Sequence, residues 1–124
     1  MRVFKNAWFA RFARKENIDD VLLWDAAGRA SRGLIDADLG GCVLKQRISR
    51  RCAGKSSGYR SILLFRRPDM AVFVYGFAKN SRENIDESER LQFKKMAAHI
   101  FRLSEDQISA LLINGQFEEV NNDD

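Results

Sequence analysis

The 124-residue chain holds one histidine, one proline and two cysteines. A lone histidine excludes a paired-histidine ribonuclease mechanism within one chain, and His99 falls on a helical stretch beside core positions. Cys42 and Cys52 are too few for a disulfide framework or for a tetrahedral zinc site of thiolates. Both are expected as free thiols in a reducing cytoplasm. Long apolar runs are missing as well. The opening "MRVFKNAWFARFARKE" carries charges at every turn, and nothing later approaches the about 20 apolar residues that span a bilayer. The expectation is a soluble, cytoplasmic protein with no membrane partner.

The sharpest shortage is of acid in the middle of the chain. Residues 41–82 contain ten Lys and Arg and a single carboxylate, Asp69, whereas residues 83–124 contain four basic and ten acidic residues. The overall charge of +4 conceals this segregation. A metal-dependent phosphodiesterase built on sheet carboxylates has no ligands in the cationic segment, and neither a metal nor another cofactor is expected. Such a block favours polyanions, because Lys and Arg release condensed counterions from phosphates. The alternative is a solubilising surface whose charges pair with the acidic last third.

At 45% apolar, a chain of this length can bury one sizeable core. After a short strand, Arg2 to Phe4, the spacing of Trp8, Phe9, Phe12 and Ala13 predicts a helix. A second helix is expected from Ile18 to Arg32, capped by Asn17, with Leu22, Leu23, Ala26, Ala27 and Ala30 in its apolar stripe. "GLIDADLGG" reads as a connection. Three strands follow, Cys42 to Ser49, Gly58 to Arg66 and Met70 to Lys79, the last two joined at Arg67-Pro68-Asp69 as an antiparallel hairpin.

Phe93, Met96, Ala97, Ile100 and Phe101 predict a third helix, with Asn84 as its cap. "SEDQ" from Ser104 has the spacing of a capping box for a fourth. The order β-α-α-β-β-β-α-α describes an α+β domain: a small antiparallel sheet of three to four strands, with helices packed on one side. Residues 1–115 form that single domain, and residues 116–124 are expected to fray as an acidic tail.

"GKSSG" at Gly54 to Gly58 lacks the first glycine of a phosphate loop and precedes a strand, so it is a flexible basic loop. What remains is Lys, Arg and Tyr chemistry. Phe73, Tyr75, Phe77 and Lys79 alternate along the third strand and would share one face; aromatics beside cations grip unstacked bases and phosphates. For Phe73 a core position is the stronger expectation. Lys45 and Arg47 share a face of the first strand, and Arg60 would join them if the strands pair. In such a site Arg groups hold a scissile phosphate, while a lysine crowded by like charges exchanges protons with a 2′-OH or the leaving oxygen. The candidate catalytic residues are Lys45, Arg47, Arg60, Tyr75 and Lys79; the candidate RNA-binding residues are Arg50, Arg51, Lys55, Phe77 and Arg82. Arg66 and Arg67, at the far end of the hairpin, are expected to be merely solvated.

"LKQRIS", "GKSSGYRSILLF" and above all "VFVYGFAKNSRENI" resemble the core of RelE/HigB-type toxins of bacterial type II toxin–antitoxin pairs, over roughly Val3 to Phe101. The resemblance implies a fold similar to small microbial ribonucleases. It also implies entry into the ribosomal A site and cleavage of messenger RNA by 2′-OH attack without a metal. It puts Lys45 and Arg47 on the first strand of the site, Lys55 in its loop, Arg60 on the second strand, and Tyr75 and Lys79 on the third. It implies a cognate helix-turn-helix antitoxin as partner, beside the ribosome and messenger RNA. The general base stays open. The competing readings are a ParE-like toxin that inhibits a topoisomerase by binding, and an inactive RNA-binding module.

Overall fold

The computed structural model describes residues 1–49, 58–66, 69–82 and 84–121. In chain order the elements are β1 (Arg2–Asn6), α1 (Ala7–Glu16), α2 (Asp20–Ser31), β2 (Ala37–Gly40), β3 (Val43–Ile48), β4 (Tyr59–Arg66), β5 (Met70–Ala78), α3 (Glu87–Ile100), α4 (Glu105–Ile113) and β6 (Phe117–Glu119).

The helix termini follow their polar caps. Asn6 Oδ1 accepts from the Phe9 N–H at 2.8 Å to start α1. Asn17, expected to cap the second helix, instead ends the first in the left-handed conformation at φ 57°, and Asp19 caps α2. Asp86 rather than Asn84 opens α3, because Glu89 stands three residues on and closes a reciprocal capping box. The box expected at Ser104 and Gln107 forms at the start of α4.

The α+β class holds, but the sheet has six strands, in the order β2-β3-β4-β5-β1-β6, not three to four. It is mixed, since β1 runs parallel to β5 at its centre while the other pairs are antiparallel. "GLIDADLGG", read as a connection, contains β2, which pairs with β3. The tail expected to fray from residue 116 supplies β6: Phe117 and Val120 are buried, and the Val120 N–H donates to Val3 O at 2.8 Å. Residues 122–124 lie outside the described residues.

Helices cover both faces of the sheet, not one. On one side α1 and α2 bury Phe9, Ala13, Leu23 and Ala27 against Leu44, Leu63, Ala71 and Phe73. On the other, Phe93, Ala97 and Ile100 of α3 and Ile108 of α4 belong to a second core with Val43, Ile62, Leu64 and Val72. The physical reason is legible in β4 and β5. "ILLF" and "MAVFV" are unbroken apolar runs, which is the composition of strands buried on both faces.

A bulge decides which side chains share a face. Ile62 pairs with Tyr75 but Leu63 pairs with Phe73, so Val74 is an extra residue on β5. The expected alternation of Phe73, Tyr75 and Phe77 is thereby broken. Phe73 enters the α1/α2 core, whereas Tyr75 packs with the α3 core and stands 6.2 Å from Phe77 between ring centroids. Beyond the bulge, Gly76 turns back under α1, where a Cβ would stand 2.6 Å from Phe12 Cε2. Only glycine lets the helix lie that close.

Candidate functional site

Strand parity puts Lys45, Arg47 and Arg60 on the α3 side of the sheet. Val43 belongs to the core beneath α3, Leu44 and Ile48 to the opposite core, and Gln46 reaches α2, so Lys45 and Arg47 share the parity of Val43. On β4, Arg60 lies between Tyr59, which faces α1, and Ser61, and shares the parity of Ile62. The β3–β4 pairing that the sequence reading required is present.

The register arranges these residues in two cross-strand rows. One runs Lys45, Ile62, Tyr75; the next runs Arg47, Arg60, Phe77. Adjacent strands are about 4.8 Å apart, so each row spans roughly 10 Å. Arg47 is exposed, while the side chains of Lys45 and Arg60 are 17% and 12% exposed.

Those deeper cations are not left to repel each other. Asp36, between α2 and β2, places Oδ2 3.2 Å from Arg60 Nε and 3.6 Å from Lys45 Nζ. The expected crowding by like charges alone is therefore relieved by a carboxylate that lies five residues before the cationic segment. Local backbone geometry delivers Asp36 to that point. Gly33, at φ 79°, ends α2, and the Leu34 N–H donates to Arg29 O at 2.8 Å. Buried Gln46 donates through Nε2 to Leu34 O at 3.0 Å and Ala26 O at 2.9 Å, and the Asp36 N–H donates to Lys45 O at 3.2 Å.

A second polar cluster borders the rows. Arg82 donates to Tyr75 Oη at 3.0 Å, to both carboxylate oxygens of Glu89 at 2.6 and 3.2 Å, and to Asn84 O at 2.9 Å. Its guanidinium lies over the rings of Phe77 and Tyr75, 5.5 and 5.8 Å from their centroids. The hydrogen bonds to Glu89 and Tyr75 raise its pKa above the ordinary arginine value against the cost of desolvation. The Arg82 hydrogen bond, helped by the Asp86 N–H, holds Glu89 below the usual carboxylate range.

Phe77, offered by the sequence as an RNA-binding ring, is 4% exposed. Here it supports Arg82 and presents no open face to a base. Arg82 in turn is a strut for the Tyr75 hydroxyl. Trp8, absent from the candidates, packs against Tyr75 at a tilt of 32° with centroids 4.6 Å apart and is 38% exposed.

Lys79 follows β5 and is exposed, its N–H donating to Gly58 O at 3.3 Å. Arg50, Arg51 and Lys55 lie outside the described residues. Arg66 is not merely solvated: it pairs with Asp69 and donates to Phe101 O at 2.6 Å. His99 is exposed on α3 and lines an apolar cavity of about 550 Å³ with Trp8, Met96 and Leu103. Among the described residues no three metal-ligating side chains come together, and no helix is long and apolar enough to cross a membrane.

Sequence reasoning missed Asp36 and Trp8. Trp8 was read as part of the apolar stripe of the first helix, whereas it is 38% exposed and packs against Tyr75. Asp36 had almost none, because its role depends on the end of α2 folding back beside β3.

The profile of a family described as "RelE toxin of RelE / RelB toxin-antitoxin system" matches residues 1–120. No curated protein and no solved structure matches the chain.

Proposed function

The chain belongs to the RelE toxin family, and from that premise we propose that it is a ribosome-dependent messenger RNA endonuclease that works without a metal. One observation carries the reading: Lys45, Arg47 and Arg60 converge on two adjacent rows of one sheet face, beside Tyr75. Asp36 meets Lys45 and Arg60, but three cations on two rows exceed one carboxylate, and exposed Arg47 faces Arg60 directly across the strands, an arrangement that costs stability and that a further anion would offset. A phosphodiester is such an anion.

In this reading Arg47 and Arg60 hold the scissile phosphate and stabilise the charge that grows on its oxygens as the adjacent 2′-OH attacks. Lys45, with Lys79 at the rim, supplies a proton to the departing 5′ oxygen. Tyr75, fixed by Arg82 and Trp8, sets the position of the nucleotide. Arg50, Arg51 and Lys55 contact flanking phosphates. The partners are the ribosome, which presents the message, and a helix-turn-helix antitoxin that restrains the toxin in the cytoplasm.

Expression of the chain alone tests the reading. It should arrest growth and produce messenger fragments with new 5′ ends inside codons, and Arg60→Ala or Lys79→Ala should relieve the arrest. Arrest with intact message and a prior loss of DNA supercoiling would favour a topoisomerase inhibitor instead.

A further inference from the structure

Attack by a 2′-OH requires a group to take its proton, and a carboxylate is suited to the role because its oxygens are acceptors only. Among the described residues two carboxylates touch the site residues. Glu89 is committed: Oε1 accepts from Arg82 and from the Asp86 N–H, and Oε2 accepts from Arg82. Asp36 is placed differently. Its Oδ2 lies between Arg60 Nε at 3.2 Å and Lys45 Nζ at 3.6 Å, beside the two residues offered for phosphate binding and proton donation, and its side chain is 22% exposed.

Resting on the endonuclease reading, we propose that Asp36 is the general base that accepts the 2′-OH proton. As the proton passes to the Asp36 carboxylate, the 2′ oxygen forms its bond to phosphorus and the bond from phosphorus to the 5′ oxygen breaks. The leaving oxygen takes a proton from the Lys45 ammonium. The products are a 2′,3′-cyclic phosphate and a free 5′-hydroxyl, and no oxidant, reductant or further reactant is consumed. Arg60, which touches Asp36 and is offered to the phosphate, aligns base and electrophile. The Asp36 N–H donates to the Lys45 carbonyl and Gln46 holds the Leu34 carbonyl, so the backbone that carries this carboxylate is fixed beside Lys45 and Arg60.

A role confined to neutralising Lys45 and Arg60 would place Asp36 in the same position, so the test must move with proton transfer alone. Among the described residues, the charged groups facing Asp36 come from β3 (Lys45) and β4 (Arg60). From α3, Arg90 donates to Leu39 O, three residues along. A carboxylate acting as the base gives the rate an acidic limb.

Single-turnover cleavage of message on programmed ribosomes should be followed from pH 5 to 8 for the wild-type protein and for Asp36→Asn, Asp36→Glu and Asp36→Ala. Asp36→Asn should slow the step roughly 100-fold or more and lose the acidic limb, with the concentration for half-saturation little changed. Asp36→Glu should keep part of the rate, and added formate should restore Asp36→Ala. Cleavage by Asp36→Asn with the wild-type acidic limb, a loss confined to half-saturation, or no rescue by formate would overturn the assignment. A wild-type protein that leaves the message intact would overturn the endonuclease reading itself.

Discussion

Arg47 and Arg60 stand directly opposite each other across the β3–β4 ladder, and only Arg60 of the two touches Asp36 among the described ion pairs. Like charges facing each other across strands destabilise a sheet, by roughly 0.2–1 kcal/mol. The two residues should therefore respond to removal in opposite ways.

Arg47→Thr relieves the repulsion and favours the strand. Stability should rise by about 0.5 kcal/mol, while RNA binding weakens and its salt dependence becomes shallower by about one phosphate contact. Arg60→Ala removes a charge-assisted contact of Asp36 and should lower stability by about 1–3 kcal/mol with the fold retained. Thermal melts beside a salt titration of RNA binding check both. Arg47→Thr melting below wild type would remove the idea that this pair is maintained at a cost in stability.

Gln46 is the link between α2 and the position of Asp36. Gln46→Leu removes the side-chain donor to two carbonyls, at Ala26 and Leu34, and should cost about 1–3 kcal/mol. If the endonuclease reading holds, cleavage should fall further than stability alone explains. Comparing activity well below the melting temperature with the chemical denaturation midpoint separates the two effects.

Gly76→Ala should be among the more damaging small substitutions in the sheet. The added methyl meets Phe12 Cε2 at 2.6 Å and Phe9 Cε1 at 3.1 Å, and such overpacking costs about 1–3 kcal/mol. A melting temperature equal to wild type would show that α1 can lift away from β5 without penalty.

The Arg82–Glu89 pair gives stability a pH dependence of known sign. Glu89 is lowered from its ordinary 4.5 in the folded chain, mainly by the Arg82 hydrogen bond. Its contribution is therefore complete above about pH 5 and lost as pH falls through the lowered folded value. Solvent screens the pair, so about 0.5 kcal/mol is at stake. Denaturation at pH 6, 4 and 3 should show a smaller acid loss in Glu89→Gln than in wild type, and equal losses would count against the pair.

Much of this molecule was legible in the order of its residues because the signals were local. The helical stripes, the capping box at Ser104 and the hairpin from β4 to β5 each depend on neighbours within a few positions. The cationic rows were legible for a related reason: alternation put Lys45 and Arg47 on one face, and only the pairing with Arg60 had to be supplied by the fold. What escaped was set by distant contacts. β6 becomes a strand because β1 offers it an edge, and burial of β4 and β5 on both faces was written in apolar runs that a one-sided sheet would not need. The bulge at Val74 left no mark in composition, yet it sends Phe73 and Tyr75 to opposite faces. Asp36 lies outside the cationic segment in sequence, and only the fold brings it to Lys45 and Arg60.

The most direct test of the central claim is to add the purified protein to ribosomes programmed with a defined message and to map the 5′ ends by primer extension. Naked message and Arg60→Ala serve as controls. The proposed function predicts new ends inside codons on ribosome-bound message, with little cleavage of naked message and little by Arg60→Ala. Intact message on the ribosome, or cleavage undiminished in Arg60→Ala, would contradict it.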